Sequence, residues 1–300
     1  MPPVIEVKDL VKSYGELRAV DGITFSVESG EFFGILGPNG AGKTTTLEMI
    51  EGLREPDAGE VRLLGAPPWP RDIDLCRRIG VQLQSSAFFE KLTAREQLRT
   101  FADLYGSPHS RVDELLDEVG LADKGDESTD DLSGGQKQRL SIACTLVNDP
   151  EVVFLDEPTA ALDPQARRNL WDLLGRLNDR GRTVVLTTHS MEEAEALCDR
   201  VAIVDRGKLL AIDSPTNLVR ELDAPVRIAL VRGSVTEDRA RSVVGVESVQ
   251  VDGDSIVLVT RDPAPVLTEL ARLDALEGLQ VRGGTLEDVF LNLTGREYRA

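Results

Sequence analysis

Lys43 and Thr44 close the stretch Gly37-Pro38-Asn39-Gly40-Ala41-Gly42-Lys43-Thr44, which fits the spacing G-x-x-x-x-G-K-[ST]. Glycines at these positions let backbone N–H groups turn inward as an anion-binding nest. A helix beginning directly behind them adds the partial positive charge of its N-terminus. Lys43 brings a full charge toward the outer phosphates of a nucleotide, and the Thr44 hydroxyl is a ligand for Mg²⁺. The flanks suit this chemistry. Phe32-Phe33-Gly34-Ile35-Leu36 reads as a short buried strand, and Thr44 to Glu51 as the start of a helix with Leu47 and Ile50 on one face.

A second group of polar residues follows another apolar run. Val152-Val153-Phe154-Leu155 ends in Asp156-Glu157-Pro158. A buried strand that delivers two carboxylates at its C-terminal end is what an α/β nucleotide site requires. Asp156 is expected to hold Mg²⁺, and Glu157 to polarise the attacking water. Leu132-Ser133-Gly134-Gly135-Gln136 precedes a helix, and its serine hydroxyl and backbone amides form either a further anion site or a plain helix cap. His189, after Thr187-Thr188, stands at the end of a strand, whereas His109, after Ser107-Pro108, reads as a surface residue.

The elements that must position these groups follow from pattern. Val4 to Val11, Ile23 to Val27, Glu60 to Leu64 and Ile79 to Leu83 read as strands. Thr93-Ala94-Arg95-Glu96 is a capping box opening a helix with Leu98, Phe101, Ala102 and Tyr105 on one face, and Ser110 to Val119 forms the next helix. Asp123 to Asp131 reads as a solvated acidic loop. Ser133 to Val147 is a helix, and Asp163-Pro164 caps another with Leu170, Leu173, Leu174 and Leu177 inward. Thr183 to Leu186, Val201 to Val204 and Lys208 to Ile212 are strands, and Met191 to Leu197 a helix. This order implies a largely parallel sheet flanked by helices, with a helical insertion. From about Ala224 the order becomes strand, helix, strand, strand, helix, strand, the split-βαβ, ferredoxin-like pattern, and a final helix runs from Leu286 to Leu293.

Composition excludes several classes. With 34 basic and 52 acidic residues the formal charge is −18, against non-specific nucleic-acid binding. No run of apolar residues is long enough to span a bilayer, and the start Met1-Pro2-Pro3-Val4 is not that of a signal peptide. Cys76, Cys144 and Cys198 are too widely spaced for a metal site or disulfide framework, so packing roles in a reducing cytoplasm are expected.

Taken in order, the phosphate loop, Leu132–Gln136, Asp156-Glu157 and His189 resemble the motif set of ABC-type ATPases, over roughly residues 4 to 220. The resemblance implies a P-loop NTPase core of mixed sheet over residues 1–222, with a helical subdomain near 86–150 and a small α+β domain at 223–300. It implies ATP and Mg²⁺ as ligands. Tyr14 would stack on adenine; Gly37, Pro38, Asn39, Gly40, Ala41, Gly42, Lys43, Thr44 and Thr45 would cradle the triphosphate; Thr44, Gln84 and Asp156 would surround Mg²⁺. Gln84, with Gln82 as a neighbouring competitor, would be the glutamine that also faces the membrane partner. Glu157 would be the base and His189 the γ-phosphate switch. Ser133, Gly134, Gly135 and Gln136 would complete the ATP site of a second copy in a head-to-tail homodimer, with Asp163 near the interface.

The tail, Thr285 to Arg296, is similar to that of drug-exporter ATP-binding subunits of the daunorubicin-resistance type, although Leu286, Val289, Phe290 and Leu293 read on their own as a packing helix. The expectation is therefore a cytoplasmic ATPase subunit, peripheral on the membrane through a separate permease, that drives export of a drug, antibiotic or lipid-like molecule and binds no nucleic acid. The alternative is a soluble ABC ATPase acting on nucleic acid or ribosomes. Against it stand the charge and the lack of coiled coils, zinc cysteines or a second ATPase half.

Overall fold

β1 (Ile5–Tyr14) and β2 (Leu17–Val27) form an antiparallel hairpin, followed by β3 (Phe32–Leu36), α1 (Lys43–Ile50) and β4 (Ala58–Leu63). The computed structural model in which they are seen describes residues 2–84 and 88–295. β4 pairs with β1, so the alternating strands make a separate three-stranded sheet in the order β2-β1-β4 rather than part of the main one. Ile23, Phe25 and Val27 point inward from it, and the Phe25 ring stacks on Phe33 of β3 with centroids 5.1 Å apart. That stack lies within the apolar core shared by the two sheets.

The chain continues through α2 (Ile73–Cys76), β5 (Ile79–Gln82), α3 (Ala94–Tyr105), α4 (Ser110–Glu118) and α5 (Gly134–Thr145). Thr93 and Glu96 close the capping box expected at α3. Asp123 to Asp131 is not a free solvated loop. It holds two 3₁₀ turns, Ala122–Lys124 and Thr129–Asp131, with Thr129 buried. The backbone explains this: Thr129 N donates to Leu92 O, Ala94 N to Glu127 O and Arg95 N to Gly125 O, while Arg95 ion-pairs with Asp113 and Asp126. The acidic side chains stay wet while the main chain is fastened to the start of α3.

Then come β6 (Val152–Asp156), α6 (Pro164–Asp179), β7 (Thr183–Thr188), α7 (Met191–Leu197), β8 (Arg200–Asp205) and β9 (Lys208–Asp213). The main sheet runs β5-β6-β7-β3-β8-β9, parallel throughout except for the antiparallel edge pair β8–β9. β3, β6 and β7 are buried along their whole length, as a parallel sheet covered on both faces demands. α4 is tied by charge to the loops that lead into β6 and β7: Arg111 pairs with Asp149 and Glu118 with Arg180 and Arg182, while Arg182 also pairs with Asp149.

The molecule divides into two units, one ending at Pro215 and the other beginning at Thr216, ahead of the boundary at residue 222. α8 (Pro215–Glu221) is the reason: Val219 and Leu222 pack near Gly284, within the second unit. That unit contains β10 (Val226–Val231), α9 (Glu237–Arg241), β11 (Ser248–Asp252), β12 (Ser255–Thr260), α10 (Pro263–Arg272), β13 (Gln280–Arg282) and α11 (Leu286–Thr294). Its sheet is antiparallel in the order β11-β12-β10-β13. Ile228, Leu230, Ile256 and Leu258 meet Val266 and Leu270 in a core of their own. Arg296 of the tail lies outside the described residues. The cysteines are free, with Cys144 and Cys198 buried, and burial pushes the Cys144 thiol up to about 12. Among the described residues no helix is long and apolar enough to cross a membrane.

Candidate functional site

The phosphate loop runs from the end of β3 to the start of α1. Gly37 N donates to Thr188 O at 3.2 Å, hanging the loop from β7. A side chain at Gly37 is impossible as built, because its Cβ would lie 2.1 Å from Val204 O. Gly42 caps α1 with φ 102°, a left-handed conformation that favours glycine, and its Cβ would meet Ala19 O at 2.3 Å. The amides of the first turn of α1 have no partner inside the helix. They face the same end of the main sheet as the C-terminus of β6.

There the charged groups converge. Lys43 Nζ sits 3.0 Å from Glu157 Oε1 and donates to Pro38 O at 3.2 Å. Glu157 Oε2 is 3.0 Å from His189 Nδ1. Lys43 and Glu157 are both largely buried, with side chains 4% and 9% exposed, so this is an ion pair shielded from water. Glu157 adopts φ 46°, uncommon for a non-glycine residue. Its N–H donates to Thr187 Oγ1 at 3.0 Å and to Thr187 O at 3.2 Å, holding the strained turn. Strain of this kind clusters where function needs a side chain aimed against backbone preference.

Thr44 Oγ1 donates to Asp156 Oδ1 at 3.2 Å, and the Thr187 hydroxyl donates to the same oxygen. Burial is the chief reason the Asp156 carboxyl lies above its usual range. The Thr187 and Thr44 hydroxyls lower it, Glu157 raises it and Lys43 lowers it. The folded state therefore holds this proton more tightly than the unfolded chain. Ionising Asp156 costs no stability below about pH 4, where both states are protonated, and an increasing amount as pH rises to the raised value. Asp156→Asn is expected to raise the urea midpoint at pH 8, with the gain shrinking toward pH 4. An unchanged midpoint at pH 8 would show that the two hydroxyls compensate burial.

The other predicted residues are placed by other elements. Tyr14 is exposed at the end of β1, with the Arg54 guanidinium 5.4 Å from its ring centroid. Gln84 is exposed at the bend after β5, while Gln82 is buried with Nε2 donating to Leu83 O at 2.6 Å. Ser133 caps α5: its Oγ accepts from Gln136 N at 3.3 Å and its N–H donates to Gln136 Oε1 at 2.8 Å. The hydroxyl proton remains available to a second acceptor. Asp163 Oδ1 caps α6 by accepting from Gln165 N and Ala166 N, both at 2.9 Å. Ser133–Gln136 and Asp163 together line a cleft of about 460 Å³, and no residue of Gly37–Thr45 lines it. His109, exposed, pairs with Asp103.

Thr187 and Thr188 were not expected to matter, yet Thr187 holds Asp156 and Glu157 and Thr188 holds the phosphate loop. For Thr187 the signal was there: a hydroxyl near the end of an apolar, fully buried strand must hydrogen-bond to something, whereas Thr188 acts through its backbone carbonyl.

A phosphate loop opening α1, two strand-end carboxylates and a parallel sheet define a P-loop NTPase. Residues 20–160 match the family model described as "ABC transporter". The chain is 41% identical over 300 residues to the Nod factor export ATP-binding protein I of Burkholderia lata, covering 98% of this chain and 97% of that protein. It is 41% identical over 297 residues to the protein of the same name from Rhizobium sp. strain N33, covering 98% and 97%. Among solved structures it is similar to the dimeric post-hydrolysis state of the ATP-binding cassette MJ0796 bound to ADP and Pi, with TM-score 0.63, 30% identity, and 70% and 98% of the two chains covered. It is also similar to cbiO1 of Clostridium perfringens, part of the ABC transporter complex cbiONQ, with TM-score 0.67, 28% identity, and 74% and 95% covered. The chain belongs to the ABC transporter family as one of its ATP-binding subunits. ATP binding and an ATPase activity coupled to transport come with that membership.

Proposed function

We propose that two copies of this chain bind and hydrolyse Mg-ATP between them, and that the closure so driven powers export through a separate membrane permease. The cluster of Lys43, Glu157 and His189 beside Thr44 and Asp156 carries the proposal. Thr44 Oγ1 and Asp156 are oxygen donors that suit a hard cation, and a site with so few protein ligands suits Mg²⁺, which keeps phosphate and water ligands. Gln84 is the further ligand proposed from the family pattern. When bound, Mg²⁺ would neutralise developing charge on the phosphate oxygens.

The remaining work falls to side chains. Lys43, when it turns to the outer phosphates, gives up Glu157 Oε1. That carboxylate oxygen is then free to take the proton of the attacking water, with His189 steadying Oε2 and touching the γ-phosphate. Tyr14 has one ring face covered by Arg54 and offers the other to adenine. Substrate binding thus switches the base on by competing for its ion-pair partner.

The homodimer reading is supported by the cleft that joins Ser133–Gln136 to Asp163 without the phosphate loop. A second copy turned head-to-tail brings its own loop to that cleft. Ser133→Asp tests this, because aspartate caps a helix as well as serine but repels phosphate. Helix stability should be kept while ATP turnover falls by about 10²-fold, the scale of losing one positioned donor. Full turnover in this variant would refute a shared site.

Export rests on the names of the relatives, and a drug, antibiotic or lipid-like cargo on the resemblance of the tail. We put the permease contact along Gln84 to Thr93, where Phe89 is exposed and exposed Leu83 directly precedes; residues 85–87 of that stretch lie outside the described residues. The chain would sit on the cytoplasmic face of the membrane through this contact. Co-purification from membranes should yield the permease, and cells lacking the pair should lose export or drug tolerance. Recovery of ribosomes or nucleic acid instead would favour the soluble alternative.

A further inference from the structure

Glu193 is a carboxylate in a place where an apolar side chain would be expected. It lies at the third position of α7 and has no exposed surface. Its Oε1 accepts from the Trp171 indole at 3.1 Å, and Oε2 has no aligned hydrogen-bond partner among the described residues. Burial raises the carboxyl above its usual range, and the hydroxyls of Thr188 and Thr159, with Trp171, offset part of that. A buried, half-satisfied carboxyl is costly to fold around, so its position calls for a reason.

Its neighbours supply one. Thr188 and Ser190 flank His189, Ser190 N donates to Thr188 Oγ1 at 2.9 Å, and Ser190 Oγ accepts from Glu193 N at 3.2 Å. Thr159 lies between Glu157 and Asp163, and Leu162 N donates to its carbonyl at 3.2 Å. Trp171 is on α6, the helix that Asp163 caps and that packs against the start of α5: a Cβ on Gly135 would lie 3.0 Å from Ala166 Cβ. Glu193 therefore meets three places at once: its carboxyl holds the indole of α6, the helix behind the Ser133 cleft, its N–H holds Ser190 in the turn bearing His189, and the hydroxyls of Thr188 and of Thr159, in the segment leaving Glu157, lie near enough to ease its ionisation.

Resting on the hydrolase reading above, we infer that Glu193 is a positioning residue for ATP hydrolysis, one that locks His189 and the Glu157–Asp163 segment to α6 so that events at the Ser133 cleft reach the base. An aliphatic side chain there would pack but could neither hold the indole nor attract the two threonine hydroxyls.

The test uses the full chain carrying Trp69→Phe, which leaves Trp171 as its one tryptophan. In Glu193→Ala, kcat should fall by at least about tenfold, the scale of small misplacements in an active site, with KM and the affinity for a fluorescent ATP analogue within about twofold. Glu193→Gln, which keeps the acceptor for Trp171 and can donate to the threonines, should restore most of kcat. Trp171 emission should respond to ATP in the parent and not in Glu193→Ala. Folded Glu193→Ala with parental kcat overturns the inference. If that variant does not fold, Trp171→Phe decides, since it removes only the indole donor: kcat within about twofold of wild type overturns the inference, and a fall with unchanged ATP affinity supports it. A parent that binds ATP but never releases phosphate overturns the hydrolase reading instead, and the ATP response of Trp171 then decides whether Glu193 couples the two regions.

Discussion

Glu157→Gln is expected to lower phosphate release by about 10²–10⁴-fold, the range contributed by a well-placed general base, while leaving ATP binding intact. Glutamine keeps the size of glutamate and can still meet His189, so the left-handed turn at φ 46° should persist. It cannot take a proton from water. It also no longer competes for Lys43, which in the native chain is held 3.0 Å from Glu157. ATP should therefore bind at least as tightly as before and stay uncleaved. With Mg-ATP the variant should run as a dimer on gel filtration and as a monomer without it. A variant that remains monomeric under both conditions, or that turns over within about tenfold of wild type, removes Glu157 from the role of base.

Lys43→Ala is expected to abolish turnover and also to weaken the fold. Loss of the lysine leaves the Glu157 carboxylate buried without its cation. Breaking a buried pair from one side costs about 3 kcal/mol or more. The lower figure applies because His189 still faces Oε2. The urea midpoint at pH 8 should drop accordingly, and the double variant Lys43→Ala, Glu157→Gln should recover much of the loss by removing the stranded charge. Turnover should stay absent in both, since neither supplies charge to the phosphates. A Lys43→Ala protein with wild-type turnover would sink the assignment of the phosphate loop, and one with wild-type stability would show that the pair is not held in solution.

Much of this was legible in the sequence because the pieces are local. The loop Gly37–Thr44, the capping box at Thr93, the cap at Ser133 and the capped Pro164 helix are each written in consecutive residues, and backbone chemistry decides them. What could not be read is what depends on meeting across the sheet. Lys43 opens the helix after β3 and Glu157 follows β6, strands separated by β7, and their contact follows from a strand order that periodicity does not encode. The left-handed turn at Glu157 breaks the usual preference of its residue type. The turns between Ala122 and Asp131 were hidden by acidic side chains that truly are exposed, although the backbone beneath them is pinned. Thr187 and Thr188 looked like ordinary strand residues because only the folded sheet shows that the Thr187 hydroxyl meets the Asp156 carboxylate and the Glu157 N–H, and that the Thr188 carbonyl accepts from the phosphate loop.

The charged tie between α4 and the loops that lead into β6 and β7 bears on how firmly the helical insertion is held. Arg111, Glu118, Asp149, Arg180 and Arg182 exchange partners among themselves, with Glu118 facing three guanidiniums. An apolar seam would have to expose oil to water at every swing, a cost proportional to the area uncovered. Ions at a seam can trade one another for water and salt, so this joint should slacken with ionic strength. The insertion is thus fastened by a clasp whose grip the surrounding electrolyte can adjust.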